Sequence, residues 1–483
     1  MQPLVIQRIL GILLMVFSIT MLTPIIVSLI YQDGTSLPFF YAFAVTFVSG
    51  ILAWFPVRNK RRELRLRDGF IVVVMFWTVL GMFGSLPLLL SAAPAITLTD
   101  AVFESLSGLT TTGATVLTGI DDLPKSILFY RQQLQWLGGM GIIVLAVAIL
   151  PLLGVGGMQL YRAETPGPIK DSKLTPRITE TAKALWYIYL TLTIACAVSY
   201  WFAGMTIFDA VSHSFATVAI GGFSTHDLSM GFFESTLIES IAMVFMLVSG
   251  MNYALHFVAW RSISIRPYLG DAEVKGYLTI LLSVGLFTTG YLYYTHTFSD
   301  FGSALHHGLF QAVSIGTTTG FTTASYFAWP GLLPVLLLFT SFIGACAGST
   351  GGGMKVIRFL LLLKQGKQEV SKLVHPSGQF PVKISKKVMP DRVISSVWGF
   401  FAAYVGTFSI MLLILMATGL DQVTAFSAVA ACMNNLGPGL GDVGLHYAYI
   451  NDVAKWVLCF AMLLGRLEIF TLLVLLTPTF WRK

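Results

Sequence analysis

Four times along this chain a helix-length stretch of mixed polarity runs into a short loop carrying glycine. The loops read Leu109-Thr110-Thr111-Thr112-Gly113-Ala114, Ala219-Ile220-Gly221-Gly222-Phe223-Ser224, Gly316-Thr317-Thr318-Thr319-Gly320-Phe321 and Met433-Asn434-Asn435-Leu436-Gly437-Pro438. The stretches before them, 100–112, 209–221, 307–319 and 424–436, are about 20 Å long as helices, too short to cross a bilayer. Each places its glycine at the same offset, at 113, 222, 320 and 437. A fold that uses this pattern four times can bring four equivalent loops around one axis. Irregular backbone at membrane depth is tolerated where it lines a cavity, so the stretches read as re-entrant half-helices.

The surrounding sequence places those loops in a membrane. Of the 483 residues 55% are hydrophobic and 11% charged, against about 25% charged in soluble domains. About ten apolar segments meet the length for a span: 9–30, 37–55, 69–90, 134–153, 184–202, 241–260, 276–294, 332–363, 393–417 and 454–476. The first is too long for a signal-peptide core and lacks a small-residue cleavage pattern. With alternating spans, the basic residues fall on one side. They include the run 58–67, then Arg162, Lys170, Lys173, Arg177, Arg261, Arg266 and Lys275, the connector Lys364–Arg392, and the tail Arg482-Lys483. Positive residues mark the cytoplasmic side, which puts both termini there. The other side carries Asp33, Asp100, Asp121, Asp122, Asp209, Asp227, Asp300, Asp421 and Asp442, with Lys125 against them. The net charge of +7 is then an inner excess with no nucleic-acid meaning, and the acidic side can concentrate cations.

The loop chemistry suits a monovalent cation. Glycine reaches positive φ, which turns successive carbonyls toward one axis, and carbonyl rings replace the hydration shell of potassium. Half-helices also aim their partially negative C-terminal ends at the ion. No carboxylate lies in the loops, which disfavours a divalent site. The expected ion ligands are Thr111, Thr112, Gly113, Ile220, Gly221, Gly222, Thr318, Thr319, Gly320, Asn435, Leu436 and Gly437. Cys196, Cys346, Cys432 and Cys459 read as packed single thiols, and His213, His306 and His307 have no metal-ligand spacing. Walker A, GxSxG and HExxH motifs are absent from the sequence, so neither an enzyme nor a bound cofactor is expected. Interrupted helices and repeats also suit a cation-coupled secondary transporter of another solute, the alternative reading.

Two further features stand out. Gly344-Ala345-Cys346-Ala347-Gly348-Ser349-Thr350-Gly351-Gly352-Gly353 interrupts the eighth apolar segment, where each glycine disfavours helix by about 1 kcal/mol. Arg466 lies mid-span in the last segment, where a charge faces a cavity or a partner. Glu468, two residues on, cannot face it on one helix and belongs to another partner. Glu104 and Arg131 lie nearer span ends and read as structural.

With these residues in view, the chain resembles the Trk potassium uptake family of membrane subunits (TrkH type), within the Trk/Ktr/HKT superfamily. The resemblance covers nearly the whole chain. It rests on SGLTTTGATV at 107–116, AIGGFSTHD at 219–227, TTTGFTT at 317–323 and NNLGPGLG at 434–441. It extends to FYRQQLQWLGGMGIIVLAVAILP at 129–151, GACAGSTGGGMKVIR at 344–358 and LGRLEIFTLL at 464–473. It implies an all-α polytopic fold with a two-helix N-terminal extension (1–68) and four pseudo-repeats around one pore (69–183, 184–275, 276–392, 393–483). It also implies a homodimer in the bacterial inner membrane, with a cytosolic nucleotide-binding regulatory ring as partner. In the superfamily serine in place of the first filter glycine favours sodium; here that position is Gly113. The resemblance further implies that 344–353 is a gate below the filter and that Arg466 is a barrier beside it.

Overall fold

The computed structural model describes residues 1–60, 65–141, 178–385 and 387–482. Six helices there are long and apolar enough to cross a membrane: Pro3–Tyr31, Ser36–Val57, Arg67–Leu90, Lys183–Phe202, Ala272–Tyr294 and Asp391–Ala417. They match expected segments with shifts of a few residues. Of the fourth, 134–153, only the part up to residue 141 is described, as the end of helix Lys125–Gly139 and its first following residues. Arg61, Arg62, Arg162, Lys170, Lys173, Arg177, Lys386 and Lys483 lie outside the described residues. The chain is a multi-pass membrane protein.

Two segments expected to be straight are sharply bent. Thr236–Ser249 and Tyr253–Ser262 meet at 94°, and Asp452–Arg466 and Phe470–Leu476 at 118°. At the first bend Asn252 caps the new helix, its side chain accepting from the Ala254 N–H at 2.8 Å. The Tyr253 N–H turns to the Gly348 carbonyl at 3.0 Å. At the second, Glu468 and Ile469 both take positive φ, 51° and 55°, which ends an α-helix. The eighth segment breaks at the glycines, as expected: helix Leu333–Ile343 stops, and helix Val356–Val374 starts beyond them.

The first two spans pack through glycine. A Cβ on Gly11 would press on the Gly50 carbonyl and one on Gly50 on the Gly11 carbonyl, so the two backbones touch, as small residues permit in membranes.

Four short helices point into the protein: Leu98–Leu109, Ile207–Ala219, Phe301–Gly316 and Gln422–Met433. Each opens on an oxygen cap that accepts an orphan N–H. Thr97 takes the Asp100 N–H, Thr206 that of Asp209, Asp300 that of Ser303, and Asp421 those of Val423 and Thr424. Three of them begin two residues before the expected start. The third begins at Phe301 rather than 307, because the Asp300 cap lies further upstream than the periodic placement implied. The architecture is four pseudo-repeats of helix, half-helix, loop and helix, preceded by two extra helices.

Candidate functional site

The four half-helices all end in the same backbone turn. Thr111 and Gly113 have φ of 56° and 78°, Ile220 and Gly222 55° and 80°, Thr318 and Gly320 67° and 84°, and Asn435 and Gly437 54° and 94°. Positive φ at alternate residues, with a non-glycine at the first position, is uncommon and costs about 1 kcal/mol or more per residue. Its repetition in four loops of different sequence means that a shared geometry imposes it.

That geometry is a closed ring. A Cβ added at Gly113 would overlap the carbonyl oxygen of Gly221, one at Gly222 that of Thr319, and one at Gly320 that of Leu436. One at Gly437 would press on the carbonyl oxygen of Thr112. Each glycine therefore nests against the residue that precedes the next loop's glycine, and the fourth closes on the first. Thr111, Ile220, Thr318 and Asn435 are buried, and their carbonyls accept no hydrogen bond from any described residue. Buried carbonyls normally find partners, so these four stand out as equivalent exceptions, one in each loop.

Behind the ring the loops are braced. The Thr110 and Thr112 hydroxyls pair at 2.8 Å, and those of Thr317 and Thr319 at 2.7 Å. The Tyr447 hydroxyl donates to the Gly437 carbonyl at 2.8 Å. Arg131 and Glu104 form a buried pair at 2.7 Å. Glu104 also accepts from the Val116 N–H and the Thr115 hydroxyl, while Arg131 donates to the Ser224 carbonyl and covers the Phe223 ring. The pair thus joins the first loop to the second, in keeping with a structural role. Leaving one charge of such a pair alone costs about 3–5 kcal/mol. Glu104→Gln is expected to lower the thermal stability of the detergent-solubilised protein markedly, as followed by loss of its monodisperse size-exclusion peak on heating.

The glycine-rich stretch forms a loop pressed against the ring. The Gly352 N–H donates to the Thr318 hydroxyl at 2.7 Å, and the Gly353 N–H to the Asn434 carbonyl at 3.0 Å. The Thr350 hydroxyl donates to the Val218 carbonyl at 3.0 Å. A Cβ on Gly351 would meet the Ile220 side chain and the Thr317 carbonyl, and one on Gly352 the Asn434 carbonyl. Only glycine allows this approach. Arg466 completes the circuit. It ends its helix, donates to the Thr111 hydroxyl at 3.3 Å and the Thr350 carbonyl at 3.2 Å, and bonds the Gly138 carbonyl. Thr111, Ile220, Thr318 and Asn435, the four equivalent residues, therefore all face the loop or Arg466.

Residues 36–483 match the sequence model of the TrkH family, described as cation transport proteins. The chain belongs to the TrkH family. It is 60% identical to the Trk system potassium uptake protein TrkH of Vibrio parahaemolyticus, over all of both chains. It is 55% identical to the protein of that name in Escherichia coli, over 99% of each. The crystal structure of the potassium transporter TrkH from Vibrio parahaemolyticus superposes with a TM-score of 0.91 at 57% identity, covering 100% of both chains.

The other partner expected for Glu468 is Arg358, 110 positions away in sequence. Further residues of this TrkH-family site carry no sequence signal of their own. Glu273 accepts the Ala347 and Ile357 N–H groups at 2.8 and 3.0 Å and so ties both ends of the glycine-rich loop. Lys355 bonds the Gly351 carbonyl from within that loop. Lys455, on the side expected to be acidic, pairs with Asp100 at 2.6 Å and joins the last helix to the first half-helix. Of the histidines, His213 bonds the Asp209 carbonyl and Ser224, and His307 bonds Thr323.

Past Gly222, His226 bridges Asp121 at 2.5 Å and Asp209 at 3.5 Å, with Phe232 stacked on its ring. Burial works against the imidazolium, but the hydrogen bonds and charges of Asp209 and Asp121 outweigh it and raise the pKa above the ordinary histidine value. The Asp121 carboxyl is held below its usual range despite burial, by His226 first and then by the Asp227 N–H. The His226 contribution to stability is complete below about pH 6.5 and lost as pH climbs through the raised folded-state value. Thermal stability is expected to fall over that alkaline-going range and to lose this dependence in His226→Gln, measured by melting at a series of pH values.

Proposed function

We propose that this chain is the pore-forming membrane subunit of a bacterial Trk potassium uptake system. The observation that carries the proposal is the closed nesting of Gly113, Gly222, Gly320 and Gly437, with four equivalent buried carbonyls that accept no hydrogen bond from the described residues. Carbonyl rings of this kind take the place of the water that potassium sheds. The ion ligands are drawn from Thr111, Thr112, Gly113, Ile220, Gly221, Gly222, Thr318, Thr319, Gly320, Asn435, Leu436 and Gly437. The Gly221 and Gly437 carbonyls are already bonded to Gln135 and Tyr447, so they contribute less than their equivalents. Residues 344–353 close the path below the ring, and Arg466 sets a positive charge beside it. Potassium is the cargo, and no bound cofactor or catalytic step is part of the function.

The repeat units are 69–183, 184–275, 276–392 and 393–483, after a 1–68 extension. The protein lies in the inner membrane with both termini in the cytoplasm, as the basic residues of the inner connectors support. Those residues offer a face to the cytosolic nucleotide-binding ring, and a homodimer follows from the family. The test is cation uptake into proteoliposomes holding the purified chain, with potassium and sodium compared and a proton gradient imposed or absent. Potassium-preferring flux down its own gradient supports the proposal with a channel-like path; potassium flux that requires a proton gradient shifts the mechanism toward symport, and flux that requires another solute rejects the proposal.

A further inference from the structure

The second loop lacks the braces of the others. The first and third loops pair threonine hydroxyls across two residues; the equivalent positions in the second are Ala219 and Gly221. The fourth is tied by Tyr447 from its own repeat. In the second loop the bracing group comes from the preceding repeat, from Gln135 on helix Lys125–Gly139. Its Oε1 accepts the Phe223 N–H at 3.1 Å, and its Nε2 donates to the Gly221 carbonyl at 2.5 Å. One fully buried carboxamide thus grips the peptide groups on both sides of Gly222, as a neighbouring strand would. The fit is tight enough that a Cβ on Gly221 would overlap the carboxamide.

We infer that Gln135 is a specificity-determining positioning residue for the ion path. Gly222 sits at φ 80°, and glycine is about as free to adopt negative φ, so its own backbone does not hold the peptide planes. Gln135 does so on both sides. The Gly221 carbonyl oxygen that it grips is also the atom against which Gly113 nests. The residue therefore fixes the seam between the first and second loops, and with it the ring width that separates potassium from the smaller sodium ion. This inference rests on the reading of the four loops as the ion-selective ring.

Gln135→Met keeps the length of the side chain and removes both hydrogen bonds. Read as a bi-ionic potential in proteoliposomes, its potassium-over-sodium permeability ratio is expected to fall about fivefold or more, the scale of one or two lost buried hydrogen bonds. Sodium flux is retained or raised, which also reports a folded pore. Gln133→Met, two positions away and bonded instead to Thr20 and Thr23, is expected to keep the parent ratio. If Gln135→Met does not fold, Gln135→Asn, too short to span both bonds, is read in the same assay with the same expectation. A parent ratio in the folded Gln135 variant, alongside a lowered ratio in Gly113→Ser, overturns the role of Gln135 alone. Parent ratios in both overturn the ion-selective ring itself.

Discussion

A serine at Gly113 lowers the preference for potassium over sodium by about tenfold or more, the effect of a little over 1 kcal/mol of backbone strain on the ion-bound geometry. The residue holds φ at 78°, where an L side chain is strained, and its Cβ would overlap the Gly221 carbonyl. The loop has to rotate or move outward to accept the serine, and the ring opens on that side. A wider, less constrained ring discriminates less by size. Bi-ionic potentials of the variant and parent chains in proteoliposomes check this, and an unchanged ratio would remove Gly113 from the ion path.

Truncating Arg466 acts on rate and leaves selectivity in place. Its guanidinium bonds Thr111 on the ring and Thr350 on the glycine-rich loop and lies over the Trp77 ring at 5.3 Å. In the proposed reading it combines a latch with a positive charge beside the path. Even at an effective dielectric of 20, one like charge at 4 Å repels a cation by about 4 kcal/mol, and pore water reduces that further. Arg466→Ala is expected to raise the initial rate of potassium or rubidium uptake by about tenfold, with an unchanged ion preference. Slower uptake by a well-folded variant would make Arg466 an anchor of the loop rather than a barrier.

The parts of this arrangement that were legible in the sequence are those with local causes. The loops declare themselves through Gly113, Gly222, Gly320 and Gly437, since positive φ selects glycine wherever the chain permits. The glycine run 344–353 announces a broken helix for the same reason. The positive φ at Thr111, Ile220, Thr318 and Asn435 has no such marker, because packing against the loop and Arg466 imposes it on ordinary side chains.

The bends were hidden too. Neither 249–253 nor 466–470 contains proline, and both segments are apolar enough to pass for straight spans. They bend because partners distant in sequence pull on them. Gly348 takes the Tyr253 N–H, and Arg358 takes Glu468. The exclusion of an Arg466–Glu468 pair followed from helical spacing, but the identity of Arg358 as the partner is a tertiary fact. The third half-helix starts at Phe301 and not at 307 because the Asp300 cap decides its start, and that cap does not sit at a fixed distance from Gly320. Gln135 lies in a segment whose sequence reads as an ordinary span, and its contacts with Gly221 and Phe223 form only when the second loop folds against it.

Anomalous diffraction from crystals of the full chain grown in rubidium tests whether the four nested glycine loops hold potassium. Density is expected on the axis enclosed by Gly113, Gly222, Gly320 and Gly437, reduced when sodium replaces rubidium. Rubidium bound elsewhere in the protein, with the ring empty, would contradict it.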